Sequence, residues 1–298
     1  MKKITKWGIG LVMTLAMMFM ASQASAAVLG FYQTGQLVPK VYHNGADVDT
    51  VVGISCIDGD GLADGCDIYW TFFDVDSNHI TDGMFHITDD DYEGFSWKDE
   101  SGVGLEDVDG YLVFTSGTAP PAPPAPTGTA DIFANAFMVD TTGKDAVLVP
   151  VLPLTVPDYD PAVDLEAMDA TSIVQLLLGS PPGAILDIRY WIDPLYSATT
   201  SIMFWSVCDV SPGSPYTINI FNDDEDRKSV NIDLPNDELN TVDPATIVGR
   251  PADFIDGFIR FTVPATACAP PEFNDMFVFS YVDSDIIGAM QTLLAGED

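Results

Sequence analysis

Residues 68–73 read Ile68-Tyr69-Trp70-Thr71-Phe72-Phe73, an uninterrupted aromatic and β-branched run with an aspartate on each side. Aromatic and β-branched residues are enriched in strands, and aspartate is typical of the turns that end them. The run therefore predicts a strand that passes through the protein core. A polar stretch at residues 74–82 and a second apolar run at residues 84–88 follow it.

Short apolar runs separated by turn residues recur along most of the chain. They lie at residues 30–41, 48–55, 111–115, 146–151, 185–191, 201–207, 216–221, 258–263 and 276–281. This spacing predicts a mainly β protein, an antiparallel β-sandwich that is either one large domain or two in tandem. One or two short helices are expected at residues 164–178 and 285–295, where apolar residues have roughly helical spacing. Gly179 would end the first, and Ser284 would cap the second.

The N-terminus has the layout of a secretory signal peptide. Lys2, Lys3 and Lys6 precede an apolar stretch at residues 7–21, and Ala24-Ser25-Ala26 forms a small-residue cleavage site. We expect cleavage after Ala26 and export to the periplasm, the cell surface or the medium. No other segment approaches the ~20 continuous apolar residues of a membrane helix, so we expect no membrane insertion of the mature chain.

The chain is strongly acidic, with 45 Asp and Glu against 11 Lys and Arg and a formal charge of −34. Loss of the three signal lysines would lower the charge to −37. Nucleic acids are bound by basic patches, so a nucleic-acid partner is excluded. Hydrophobic residues make up 47% of the chain, which excludes a disordered tail. The acidity has two open interpretations, solubility in a saline habitat or specific cation sites.

A proline-rich segment at residues 119–126 reads APPAPPAP. This composition favours polyproline II, which has no capacity to form a core. We therefore predict an acidic N-terminal β domain at residues 27–118, a linker or stiff loop at 119–127, and a β-rich C-terminal domain with short helices at 128–298.

The four cysteines are an even number in a chain expected to leave the cytoplasm, so disulfides are predicted. The pairing Cys56–Cys66 and Cys208–Cys268 keeps each bond within one region of the chain.

The best candidate for a metal site lies between the first two cysteines, at CIDGDGLADGC, residues 56–66. Asp58, Asp60 and Asp64 match the later positions of the short calcium loops D-x-D-x-D-G-x-x-D of extracellular proteins. Calcium takes six to eight oxygen ligands, and carboxylates on alternate residues of a tight loop can converge on one ion. Cys56 stands where the first aspartate should be, so Asp67 or a backbone carbonyl would have to complete the set.

A second partial match follows at residues 74–82, with Asp74, Asp76, Asn78 and Asp82 at the first, third, fifth and ninth positions. His79 replaces the usual glycine at the sixth position. The alternative is a polar hairpin in which Asp and Asn serve turn geometry.

Enzyme motifs are missing from the sequence: it has no G-x-S-x-G, no H-E-x-x-H and no glycine-rich phosphate loop. A Ser-His-Asp triad would have to use His43, His79 or His86. Among the tryptophans, Trp70 and Trp205 lie in apolar runs and are expected in the core. Trp97 alone has neighbours that predict exposure, as a sugar-stacking residue would need.

These patterns predict a non-enzymatic structural, adhesive or binding protein with an extracellular protein or polysaccharide partner, stabilised by Ca²⁺. Two alternatives stay open. One is a secreted hydrolase that acts on polysaccharide or another extracellular polymer through carboxylates. The other is a subunit of a self-assembling structure bridged by divalent cations.

Overall fold

The computed structural model describes residues 33, 35–58, 65–88, 91–117, 130–143, 145–155, 175–176, 179–265 and 275–297. Nearly every described residue of the eleven apolar runs lies in or directly beside a strand, so the predicted mainly β fold is confirmed. Of the earlier predictions, the signal peptide at 1–26 and the proline-rich segment at 119–127 lie outside the described residues. No helix among the described residues is long and apolar enough to cross a membrane.

The strands of the first half of the chain form two antiparallel sheets, with the strand orders β5-β2-β7-β8 in sheet 1 and β10-β9-β1-β6-β3-β4 in sheet 2. Their bounds are β1 Gly35–Val41, β2 Val48–Asp58, β3 Cys66–Asp74, β4 His79–Ile87, β5 Tyr92–Ser96, β6 Gly110–Gly117, β7 Ala130–Asp140, β8 Asp145–Val149, β9 Leu152–Thr155 and β10 Gln175–Leu176.

The second half forms two more antiparallel sheets, ordered β15-β12-β17-β18 in sheet 3 and β14-β13-β16-β11-β19 in sheet 4. Their bounds are β11 Ile185–Trp191, β12 Ala198–Ser206, β13 Tyr216–Asn222, β14 Arg227–Ile232, β15 Leu239–Val242, β16 Asp256–Thr262, β17 Met276–Ser284, β18 Ala289–Leu294 and β19 Gly296–Glu297.

The four sheets stack face to face in numerical order. Phe95 of sheet 1 packs edge-on against Phe114 of sheet 2, with ring centroids 5.3 Å apart. The opposite face of sheet 2 meets sheet 3 through Tyr111 and Trp205, at 5.7 Å. The other face of sheet 3 meets sheet 4 through Phe204, which packs on a phenylalanine of β16. The molecule is thus two β-sandwiches joined by an apolar junction between sheets 2 and 3.

The two inner sheets are covered on both faces, which explains the unbroken apolar run that begins at Ile68. Successive side chains of a strand point to opposite faces, so a strand buried on both sides needs apolar residues at nearly every position. Cys66 through Phe73 are all buried in β3. In β12 the same alternation sends Phe204 towards sheet 4 and Trp205 towards sheet 2.

The two sandwiches divide after β10, whereas the sequence placed the change of domain at residues 119–127. The strands on either side of that segment, β6 and β7, belong to the two sheets of the first sandwich. β7 pairs with β2 along its whole length, from Val48↔Asp140 to Asp58↔Ala130. A proline-rich composition marks a break in regular structure, but it does not show whether the chain returns to the same core.

The predicted helix at residues 285–295 is wrong. A turn at 285–288 leads into β18, which pairs with β17 from Ser284↔Ala289 to Phe279↔Leu294. Ser284 does accept a hydrogen bond from Ile287 N, but within this turn. The free edge of β17 offers a full ladder of backbone partners, which outweighs the helical spacing of a short segment. The helix predicted at 164–178 lies mostly outside the described residues, and residues 175–176 are a strand.

The one α-helix among the described residues is α1, Trp97–Glu100, capped by the Ser96 side chain. It makes the predicted exposure of Trp97 wrong, because the helical turn directs Lys98 to solvent and the indole into the core. Trp97 is fully buried and packs on Phe72 at a ring distance of 4.3 Å. Trp70 and Trp205 are buried as predicted.

We expect Trp205→Ala to lower the free energy of unfolding by about 3–5 kcal/mol, because it opens a cavity in the fully buried junction. Urea unfolding followed by far-UV circular dichroism measures the loss. Trp191→Ala, at a half-buried tryptophan, is the control and should cost less. A loss below about 1 kcal/mol for Trp205→Ala would contradict the junction as described.

Candidate functional site

The first predicted calcium loop is closed by a disulfide. β2 ends at Asp58, β3 begins at Cys66, and Cys56 and Cys66 are bonded to each other as predicted. Gly65 lies at φ +79°, and a Cβ atom there would lie 2.1 Å from the carbonyl oxygen of Ile87, so the return of the loop requires glycine. Asp60, Asp64 and the Asp58 side chain lie outside the described structure, so this ligand set stays a prediction.

Cys208 also takes part in a disulfide. Cys268, its predicted partner, lies outside the described residues.

The second predicted loop forms the tight turn between β3 and β4. Asp74 Oδ1 accepts hydrogen bonds from Asp76 N at 3.0 Å and from Asn78 N at 2.9 Å. Asp82 lies in β4, where its carboxylate is 3.2 Å from His79 Nε2. This is the geometry of the polar hairpin. Across the described residues, no three His, Cys, Asp or Glu side chains converge closely enough to hold one metal ion.

His43 lies beside a serine, but its hydrogen bonds select the wrong tautomer for a catalytic base. Its Nδ1 accepts a hydrogen bond from Gly45 N at 3.1 Å, so the ring proton of the neutral imidazole is on Nε2. Nε2 lies 3.0 Å from Ser101 Oγ and therefore donates to it. A base that activates serine must accept that hydroxyl proton instead. This buried pair joins the β1–β2 loop to the C-terminal end of α1 rather than forming a nucleophile.

The other two histidines lie seven residues apart on β4, about 23 Å along a strand, so they cannot share a metal ion. His86 Nδ1 is 2.8 Å from Oδ1 of Asp67, whose carboxylate is nearly buried. His79 pairs with Asp82. Each histidine thus lies beside an aspartate, at a separate place on the edge of sheet 2.

The β3–β4 turn faces the second sandwich across a cluster of carboxylates, which we call the acidic rim: Asp74 and Asp76 from the turn, with Asp209, Asp237 and Glu238. Burial raises the pKa of Asp237, as do the charges of Asp209, Asp76 and Asp74 and a hydrogen bond with Asp209. The local sequence does not indicate these partners of Asp74 and Asp76, because they follow in the chain by more than 130 residues.

A shallow groove crosses the outer face of sheet 1, which we call the aromatic groove. Its floor is the row Gly53, Gly94 and Asn135, which are directly opposite one another in β2, β5 and β7. Tyr92 stands on one side of this row and Phe137 on the other, with exposed fractions of 63% and 41%. The groove encloses a volume of about 560 Å³.

The two glycines leave space above the sheet, which the Tyr92 ring fills over Gly53 and no atom fills over Gly94. The Tyr92 ring lies directly over Gly53, where a Cβ atom would be 2.1 Å from Tyr92 Oη. A Cβ atom on Gly94 would have no other atom within 4 Å, so the space above it is open. The Tyr92 hydroxyl and the Asn135 amide have no hydrogen-bond partner among the described residues. The groove therefore offers aromatic surface and polar groups that the fold itself does not use.

Comparisons with known proteins identify no relative for this chain. No family model and no curated protein matches it. A glycosyl hydrolase family 2 member from Bacteroides cellulosilyticus DSM 14838 is 11% identical, with 87% of this chain and 27% of that chain covered and a TM-score of 0.17. A candidate beta-galactosidase from Bacteroides fragilis is 6% identical, with 90% of this chain and 33% of that chain covered and a TM-score of 0.16. At these TM-scores the likeness carries no argument about activity.

We expect Asp237→Asn to stabilise the protein near pH 7. The raised pKa of Asp237 means that its contribution to stability is fully present below the pKa of the unfolded chain and is lost as the pH rises through the folded value. Asparagine cannot ionise, so the variant does not lose this stability as the pH rises. The gain of the variant over the wild type should therefore grow from pH 4 to pH 7 in urea unfolding.

The control for this prediction is Asp224→Asn, at an exposed aspartate in the β13–β14 turn. Its difference from the wild type should vary less with pH. If Asp237→Asn destabilises the protein by the same amount at every pH, the charge repulsion described for the acidic rim is contradicted.

Proposed function

We propose that this is an exported acidic β-sandwich protein with a non-enzymatic adhesive or binding role in the periplasm, at the cell surface or in the medium. The single observation that carries the proposal is the aromatic groove, in which Tyr92 and Phe137 are exposed beside a glycine floor. Ligand sites combine apolar and aromatic surface with a few polar groups that fix orientation. The buried disulfide supports the exported location, because such bonds persist in oxidising compartments.

The position of the groove also favours a binding role. Sheet 1 is the outermost layer of the first sandwich, and its inner face is held against sheet 2 by Phe95 and Trp97. A groove on such a sheet is rigid before the ligand arrives, so little conformational entropy is lost on binding. Its open form suits a long extracellular polymer better than a small enclosed ligand.

The test is capture of an extracellular polymer. Purified protein without residues 1–26 is passed over immobilised crude extracellular polymer from a bacterial culture, which contains both polysaccharide and protein. We expect retention that falls at least about five-fold in the double variant Tyr92→Ala/Phe137→Ala, because exposed aromatic surface is lost.

Tyr196→Ala is the matched control, since Tyr196 is exposed to the same 41% but lies on the second sandwich. It should leave retention unchanged. Wild-type protein that is not retained, or retention that the double variant does not reduce, would overturn the proposed role.

We also propose that Ca²⁺ stabilises this protein at the disulfide-closed loop. Calcium should raise the melting temperature more than sodium chloride at equal ionic strength, and Asp60→Asn should remove the calcium-specific part. An affinity typical of extracellular calcium modules would give only about 0.4–1.4 kcal/mol at 1 mM ion, so the shift should be small. Equal shifts from both salts would show screening of the acidic surface and remove the site.

The two alternative functions have distinct outcomes in the same experiments. A hydrolase would release reducing ends or other soluble fragments from the captured polymer. A cation-bridged assembly would sediment faster in calcium than in sodium chloride, and this change would persist in the double variant.

A further inference from the structure

We propose that the ligand of the aromatic groove is a neutral glycan, which lies across β5, β2 and β7 and stacks on Tyr92 and Phe137. The inference rests on the proposed binding role and names the class of polymer. It follows from the layout of the groove, from its lack of charge and from the polar groups it exposes.

The layout is that of a trough between Tyr92 and Phe137, whose floor is covered by the Tyr92 ring over Gly53 and is open over Gly94. In the pairing of β2 with its neighbours, Ser55 lies opposite Tyr92, Gly53 opposite Gly94 and Asn135, and Val51 opposite Phe137. These rows alternate by two residues, so they share the outer face of sheet 1. The two side rows are four residues apart, about 13 Å between Cα positions, and the glycine row lies between them.

The charge of the groove selects against polyanions. None of the residues that line it is charged, although the chain carries a formal charge of −34. The surrounding negative potential repels nucleic acid and acidic polysaccharide, and the groove has no cation to offset that repulsion. A neutral chain avoids this cost.

The exposed groups match the two chemistries of a sugar ring. The C–H groups on one face of a sugar carry partial positive charge and pack on the negative face of an aromatic ring. The hydroxyl groups at the ring edge both donate and accept hydrogen bonds, as do the amide of Asn135 and the hydroxyl of Tyr92. An apolar peptide would leave these two polar groups unpaired.

The test is affinity electrophoresis of the protein without residues 1–26 in gels that contain hydroxyethyl cellulose, arabinoxylan, laminarin or dextran. Alginate and double-stranded DNA are the anionic controls. We expect retardation by at least one neutral glycan and by neither polyanion. Tyr92→Ala and Phe137→Ala should each weaken the interaction at least about five-fold, and Tyr196→Ala should leave it within two-fold.

Gly94→Val provides a second variant that blocks the groove without removing an aromatic residue. Gly94 lies outside the left-handed region and has open space above it, so a β-branched residue fits its strand. We expect at least about a ten-fold loss of glycan binding with an unchanged or higher melting temperature.

Three results would overturn the inference. Alginate could retard the protein as strongly as the neutral glycans do, or none of the four neutral glycans could retard it. Glycan binding could also survive Gly94→Val. The proposed binding role fails separately. If crude polymer is still captured through Tyr92 and Phe137, and protease rather than periodate treatment of the polymer removes the capture, the groove binds protein and only the glycan assignment is wrong.

Discussion

The contact between Tyr111 and Trp205 marks the constraint on which the rest of the molecule depends, the burial of a sheet on both of its faces. Sheets 2 and 3 each pack against an outer sheet on one side and against each other on the other side. An antiparallel sheet with one face in water alternates apolar and polar residues, but these inner strands have no solvent side. Their sequences are therefore mainly apolar and buried at nearly every position, as in β3 and in β17.

This constraint also determines where the charge of the chain can lie. The apolar junction excludes carboxylates from its centre, so some of them collect at its edges and face each other across the two sandwiches. Asp237 is one example. Another is Asp283, whose pKa is raised by burial and by the charges of Asp285, Asp145 and Asp140. Protonation relieves this repulsion, and so the acidity of the chain is coupled to the packing of its two halves.

The outer face of sheet 1 is not covered by another sheet, so its residues are not required to be apolar and buried. Tyr92 and Phe137 are exposed there, and the space above Gly94 is open. The histidines show the opposite use: His43 and His86 are held by hydrogen bonds within the fold, and His79 lies beside Asp82. The contrast explains why we assign a binding role to the groove and no catalytic role to His43 and Ser101.

Local patterns in the sequence determined the strands, since a run such as residues 68–73 has few other ways to bury its side chains. They also determined the Cys56–Cys66 bond, which closes a short loop between consecutive strands. Two predictions about individual segments failed. Residues 289–294 formed a strand because β17 had a free edge, and Trp97 was buried because a single helical turn rotated it inward.

The aromatic groove and the acidic rim were decided only by the tertiary structure. Gly53 meets Gly94 through the register of β2 with β5, and Asp74 approaches Asp237 through the stacking of two sandwiches. The sequence records which residues can form a strand, because that depends on near neighbours. It does not record which strands pair or which faces meet, because those contacts join residues that are far apart in the chain.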